Sequence, residues 1–422
     1  MPSFFDPFSL TASFDFSLKR MPVWESGTLL HEHVHYWQAI STPYGIQRLF
    51  NWMQAGIILS ELAGKTGALK IPLQKYAATA EAPAEVARAT AAIIENRRLI
   101  DYFEYTAILP FAASTEPLPP LHFTEVDFFE DRQPHPVAFV PMKIRDAGYL
   151  CPLSGLTLQE SMAQAVQNRN EQIGFDTFVL RITPETLNYA AVPYFLFQQF
   201  PEHREQLWER AIMICDLALN CISPNVVAYG LCSMLLQQPK LASLSPLELH
   251  SLLWQEWLDI FTESYDEVRG KLDTLMTRTG DTSTPLFATL HFLGEILQRA
   301  LQQRFDDPEY FVRNMLAAPA ELMAAYPLPR YFALGKLKST ADDPRYHDLG
   351  SMIAFMGQIL EGLVWTGDLR CKLYQTENCD SPQSPLCAAA PWRIPPDENN
   401  TLCAFGYMLD RMNLRKTTLE YL

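Results

Sequence analysis

Residues 29–43 read LLHEHVHYWQAISTP, and within them His31, Glu32, His33, Val34 and His35 spell H-E-x-x-H. Three of the chain's nine histidines fall in five positions. This pattern constrains local structure strongly, because it makes chemical sense only on a helix. At 100° per residue, His31 and His35 point within about 40° of each other, with Cβ atoms about 5–6 Å apart. Two imidazoles so placed can both reach one Zn²⁺ at roughly 2.0–2.1 Å. Glu32 projects from the flank of that face, where a carboxylate can take a proton from metal-activated water. His33 points about 160° from His35 and belongs to another side. Leu30, Val34 and Trp37 make the apolar face, while Gln38 and Thr42 continue the metal side. Gln38 there would serve as a hydrogen-bond partner of a ligand or as a substrate contact. Ser26 or Thr28 is expected to cap the helix, and Pro43 with Gly45 to stop it.

A chain of 422 residues, 48% hydrophobic and 12% aromatic, can bury a substantial core in one large domain or two ordinary ones. Its formal charge of −15 argues against nucleic acid and against an anionic membrane surface, both of which select clustered Lys and Arg. The N-terminal MPSFFDPFSLTASFDFSLKR lacks a basic segment followed by an apolar one, so no secretory signal is expected. The run VVAYGLCSMLL (226–236) falls well short of the roughly 20 residues that span a bilayer. Eight cysteines are too few for a disulfide scaffold at this length, which points to a reducing, cytoplasmic setting.

Helical periodicity dominates, with helices expected near 27–41, 45–64, 84–108, 156–170, 185–199, 202–221, 225–238, 246–277, 285–304 and 347–366. Strand patterns are few: 11–18, 135–144 and 175–183. The expected fold is mostly α (α+β), with a small sheet in the N-terminal half. A metal-binding catalytic region over 1–183 would precede a helical region over 184–422, unless the two form one continuous domain.

A catalytic zinc needs a third protein ligand and an open position. The extended pattern H-E-x-x-H-x-x-G-x-x-H is absent, because Gln38 and Ser41 stand where Gly and His would. A glutamate from a later helix is the alternative. Glu160 opens a helix in PLSGLTLQESMAQAVQ, with Ala163, Gln164 and Gln167 on nearly the same side. Glu61 lies on the helix after the motif, and Glu95 and Glu104 lie on the 84–108 helix. Donors for a developing oxyanion are sought among Tyr189, Tyr194, Arg345, Tyr346 and His347, none singled out. Cys371, Cys379, Cys387 and Cys403 contain no C-x-x-C pair, so a zinc knuckle is poorly supported there.

HEHVHYWQ followed by STPYG, with SGLTLQESMAQA more than a hundred residues on, resembles a set of bacterial zincin-like proteins of mostly uncharacterised function. They carry H-E-x-x-H-x-x-Q, a Thr/Pro/Gly turn and a later G-x-x-x-x-E-x-x-A helix. The resemblance covers roughly residues 25–170. It implies metal ligation by His31, His35 and Glu160, with Glu32 as general base. The expected function is a cytoplasmic zinc peptidase acting on a peptide or protein. The alternatives are a zincin-fold binding or regulatory module and a hydrolase of a non-peptide amide.

Overall fold

Helix α1 (Val23–Ser41) carries the motif and passes into α2 (Pro43–Thr66) with only Thr42 between them. Thr42 is extended, its Oγ1 accepts from the Gly45 amide at 3.1 Å, and Pro43 fills the first helical position. Gly45 is needed at this junction, since a Cβ there would lie 2.4 Å from the Gln38 carbonyl oxygen. The start of α1 departs from expectation. The helix begins at Val23, so Ser26 and Thr28 are interior residues rather than caps. From Leu30 to Gly45 the chain is buried throughout, because α1 packs against the helices Gly155–Asn170 and Pro285–Asp306 as well as α2.

The computed structural model describes residues 4–6, 11–14, 23–103, 107–111, 119–127, 134–144, 147–281, 284–333, 336–338, 343–371, 385–395 and 402–422. Among these, α3 (Leu73–Ala77) and α4 (Ala84–Phe103) follow α2. A four-stranded antiparallel sheet comes next, ordered β4 (Leu109–Phe111), β7 (Ala147–Pro152), β6 (Pro134–Ile144), β5 (His122–Asp127). The expected strand over 135–144 is β6. Strand β7 delivers the chain to α5 (Gly155–Asn170), with Leu153 donating to the Ala138 carbonyl at 2.8 Å and Ser154 Oγ accepting from Thr157 N at 3.2 Å. That cap sets the phase of α5 and hence the direction of Glu160.

The expected strand over 175–183 is a correction. Residues Phe175–Val179 form a short helix, α6, with the Gly174 carbonyl accepting from Thr177 and Phe178. Phe175 and Phe178, three apart, both reach the Trp208 ring, at 5.8 and 5.5 Å between centroids. Helical spacing of two aromatics outweighed the β-branched composition.

The remaining helices are α7 (Ala191–Gln199), α8 (Leu207–Leu219), α9 (Pro224–Gln237), α10 (Pro246–Glu256), α11 (Leu258–Thr279) and α12 (Pro285–Asp306). Short helices α13 (Tyr310–Ala317) and α14 (Pro319–Ala325) precede α15 (Pro344–Glu361), which ends in a π turn, Gly362–Thr366; α16 (Leu386–Ala389) and α17 (Ala404–Arg411) follow. Proline opens α2, α9, α10, α12, α14 and α15, where its missing N–H costs nothing. Three expected helices are interrupted: 3₁₀ turns occupy Pro184–Tyr189 and Pro201–Gln206, and Trp257 separates α10 from α11. The stretch Pro344–Thr366 is long and apolar enough to cross a membrane, yet 64% of that window is buried inside the molecule, against α12, α17 and α2.

Pairing also joins distant parts of the chain. Strand β2 (Thr11–Phe14), flanked by β1 (Phe4–Asp6), runs parallel to β8 (Arg330–Ala333), which pairs with β9 (Lys336–Lys338). Strand β3 (Ala68–Ile71) runs parallel to β10 (Thr418–Tyr421). With α5 on α8 and α1 on α12, contacts cross residue 183 in several places. One crossing is ionic. Arg304 of α12 donates to Asp216 Oδ1 at 2.6 Å and to Ser41 Oγ at 2.9 Å, and Asp216 also faces His250 Nε2 at 3.4 Å. Arg304 and Asp216 are 0% exposed, so the last turn of α1 is held by a fully desolvated charge pair.

Candidate metal centre

His31 and His35 sit one turn apart on α1 with ring centroids 4.8 Å apart, and Glu160 faces both from α5. The Nε2 atoms are 3.1 Å from each other, and Glu160 Oε2 lies 3.5 Å from His31 Nε2 and 3.3 Å from His35 Nε2. These three side chains form a group able to hold a metal ion.

The tautomer of His35 follows from its neighbours. Gln38 Nε2 donates to the Gln159 carbonyl at 3.2 Å, an oxygen that can only accept. Gln38 Oε1 is therefore the atom facing His35 Nδ1, at 3.0 Å, so Nδ1 carries the hydrogen. The Nε2 lone pair is left to point at His31 and Glu160. Glu160 Oε2 and His31 Nδ1 are buried with no hydrogen-bond partner among the described residues. Convergent acceptors around one point, one of them orphaned, fit a cation. Without one, a proton takes its place: burial alone would push the His35 pKa down, but the Glu160 carboxylate overcomes it and raises it to about 9. For Glu160 burial works upward, and the two imidazoles win, holding it well below the usual carboxylate range.

Glu32 is 3% exposed, and its Oε2 has no hydrogen-bond partner among the described residues. Burial lifts its pKa above the ordinary value, with His31 and His35 opposing and Glu160 assisting. His33 belongs to the core, as its helical phase requires: Nδ1 donates to the Leu29 carbonyl at 2.9 Å, and burial lowers its pKa to about 4.

The group opens into a cleft of about 420 Å³. One wall is α5, where Gln164, Gln167 and Asn168 continue the Glu160 face to Glu171. The other is built by Phe178, Arg181, Ile182, Thr186 and Tyr189, with Thr28 of α1 also reaching in. The Tyr189 ring lies 5.9 Å from that of His31, and burial, then the charges of Glu160 and Glu32, keep its phenol protonated far above the usual range.

The other candidates sit elsewhere. Glu61 is paired with Arg278 in a two-point contact, 2.8 and 3.3 Å, and is absent from the cleft. Tyr194 OH bridges the backbone N and O of Lys143. Arg345 pairs with Asp343, and Tyr346 packs edge-on against Phe292. The Glu95 and His347 side chains, and all of Glu104, lie outside the described residues, as does Cys379. The other seven cysteines are free. Sequence reasoning missed Thr28, Asn168, Glu171, Arg181 and Thr186. The polar ladder 160/164/167/171 was the available signal for the α5 wall, but reading 175–183 as a strand hid the opposite one.

Compared with known proteins, the chain matches no family model, no curated protein and no solved structure.

Proposed function

We propose that this chain is a zinc-dependent peptidase of zincin-like type, working in the cytoplasm on a peptide or protein. The observation that carries the reading is the triangle of His31 Nε2, His35 Nε2 and Glu160 Oε2, with edges of 3.1–3.5 Å, opening beside Glu32 into a cleft. Three ligands of a tetrahedral zinc, bonded at 2.0–2.1 Å, are separated by roughly 3.3–3.4 Å. Two neutral imidazoles and a carboxylate are also the donor set that zinc favours. Such an ion, when bound, supplies Lewis acidity to the scissile carbonyl and lowers the pKa of water.

The protein's own residues account for the rest. Glu32, raised in pKa by burial, accepts a proton from the attacking water and returns it to the leaving amine. Tyr189, protonated and beside His31, donates to the developing oxyanion. Gln38 keeps His35 in the tautomer that leaves Nε2 unprotonated. A structural metal site has no use for a buried carboxylate in the place of Glu32, which favours the enzyme over a binding module.

The test is Glu32→Gln, which keeps shape and removes the base. It should retain zinc and thermal stability while losing about 10²–10⁴-fold in cleavage rate. The readout is a comparison of new protein N-termini in cells expressing wild type or variant. Termini that appear equally with both forms, or with neither, would refute the peptidase.

A further inference from the structure

The cleft extends well beyond the metal group along α5. Gln164, Gln167 and Glu171 follow Glu160 at i+4, i+7 and i+11, within roughly 40° of it on the helix. Gln164 Nε2 donates to Asn168 Oδ1 at 2.9 Å, and Gln167 Nε2 donates to Glu171 Oε1 at 3.1 Å. Asn168 is 1% exposed, and its Nδ2, lining the cleft, makes no hydrogen bond among the described residues. A buried amide N–H left without a partner is costly, so it asks for an acceptor from whatever enters.

Glu171 closes this face. It makes no ion pair among the described residues, and it is half-buried against the start of α1. A Cβ on Gly27 would fall 1.6 Å from its Oε1, so the carboxylate lies directly on that glycine. Arg181, on the opposite wall, is likewise unpaired among the described residues but exposed, so solvent screens it more. At the metal group, a divalent ion would be balanced by Glu160 and Glu32. The partly desolvated charge of the cleft that has no ion-pair partner among the described residues is then that of Glu171.

We propose that Glu171, with the amide oxygens of Gln164 and Gln167, forms a subsite for a cationic side chain of an extended peptide, while Asn168 Nδ2 donates to a backbone carbonyl of the same peptide. Eleven residues of helix at 1.5 Å each place Glu171 about 16 Å along the axis from Glu160. An extended peptide covers that in roughly five residues at 3.3 Å each, and the reach of a lysine or arginine side chain allows three or four. The substrate is therefore a segment with a basic residue three to five positions from the bond over the metal group. The net charge of −15 draws cationic segments in the same direction. This deepens the peptidase reading and rests on it.

The test uses zinc-loaded full-length Glu32→Gln protein, which should bind without turnover. The probes are fluorescein-labelled Gly/Ser/Ala decapeptides bearing one Lys, one Glu or neither, with the charge scanned through every position. Fluorescence polarisation should show the best Lys peptide binding about tenfold tighter than its Glu counterpart. Adding Glu171→Lys should invert that order, and Glu171→Gln should abolish it. Gly27→Ala, which displaces the carboxylate without removing it, should weaken it. Circular dichroism and melting checks confirm that each variant is folded. A charge preference that survives Glu171→Lys, or no binding by any peptide, overturns the subsite. Wild-type hydrolysis of the same peptides is read separately. Charge-selective binding without hydrolysis would sink the peptidase and leave the subsite standing, and hydrolysis without charge preference would do the reverse.

Discussion

Replacing Gln38 by alanine tests whether the metal group is held by its surroundings. Gln38 is fully buried and joins two elements: it accepts from His35 Nδ1 at 3.0 Å and donates to the Gln159 carbonyl, next to Glu160, at 3.2 Å. One amide thus fixes the direction of a histidine on α1 and the position of the glutamate helix. Gln38→Ala frees the His35 ring to rotate and to change tautomer, and it removes a contact holding α5 in place. Loss of such an outer partner typically costs 10–100-fold in metal affinity. That corresponds to about 1.4–2.7 kcal/mol. Zinc affinity should be measured by competition with a chromophoric chelator on metal-stripped, reconstituted protein. Gln38→Glu, which keeps an acceptor for His35 but loses the donor to Gln159, should fall between alanine and wild type. Two comparators bracket the effect: Glu160→Ala should lose zinc almost completely, and Glu61→Ala, tied to Arg278 elsewhere, should bind as wild type does. A zinc affinity for Gln38→Ala within twofold of wild type would refute the reasoning.

Two stability predictions accompany it. The His33 pKa is lowered to about 4 in the folded protein from 6.5 in the unfolded chain, so below pH 6.5 the unfolded state takes up a proton that the folded state refuses. Stability from this group should therefore fall by about 3 kcal/mol between pH 6.5 and 4, 2.5 units at 1.36 kcal/mol each. His33→Phe should melt with a shallower acid dependence, and an unchanged acid profile would contradict the burial account. Asp216→Ala, which strands the desolvated Arg304 guanidinium, should cost about 3–5 kcal/mol in unfolding experiments, with much of it recovered in Asp216→Leu/Arg304→Met. A loss below about 1 kcal/mol would show that water reaches the pair.

Legibility followed sequence distance. His31, Glu32 and His35 declare their geometry within five residues, because helical phase alone relates them. The core fate of His33 followed from the same phase. Gln38 was visible as a polar residue on the metal side, but its two partners were not, since one is a backbone carbonyl 121 residues away. Glu160 ranked above Glu61 through its helix-opening place, the small Ala163 one turn on and a resemblance, because composition does not say which later helix docks on α1. The long helices were read with ragged ends. Strands of three or four residues, such as β8 and β9, carry too little alternation to be seen. The pairing of β8 with β2 depends on contacts more than 300 residues apart.

The ionic clamp on Ser41 also has a consequence in time. Arg304 follows Ser41 by 263 residues. At a synthesis rate of about 5–20 residues per second, roughly 13–50 s separate the emergence of the HEHVH segment from that of the side chain that secures it. For that interval the segment has neither its α12 neighbour nor the counter-charged pair beneath its last turn. Maturation of the centre is in this sense a late event on a early-made helix, and a nascent chain halted before residue 304 would present the histidines without the frame that orders them.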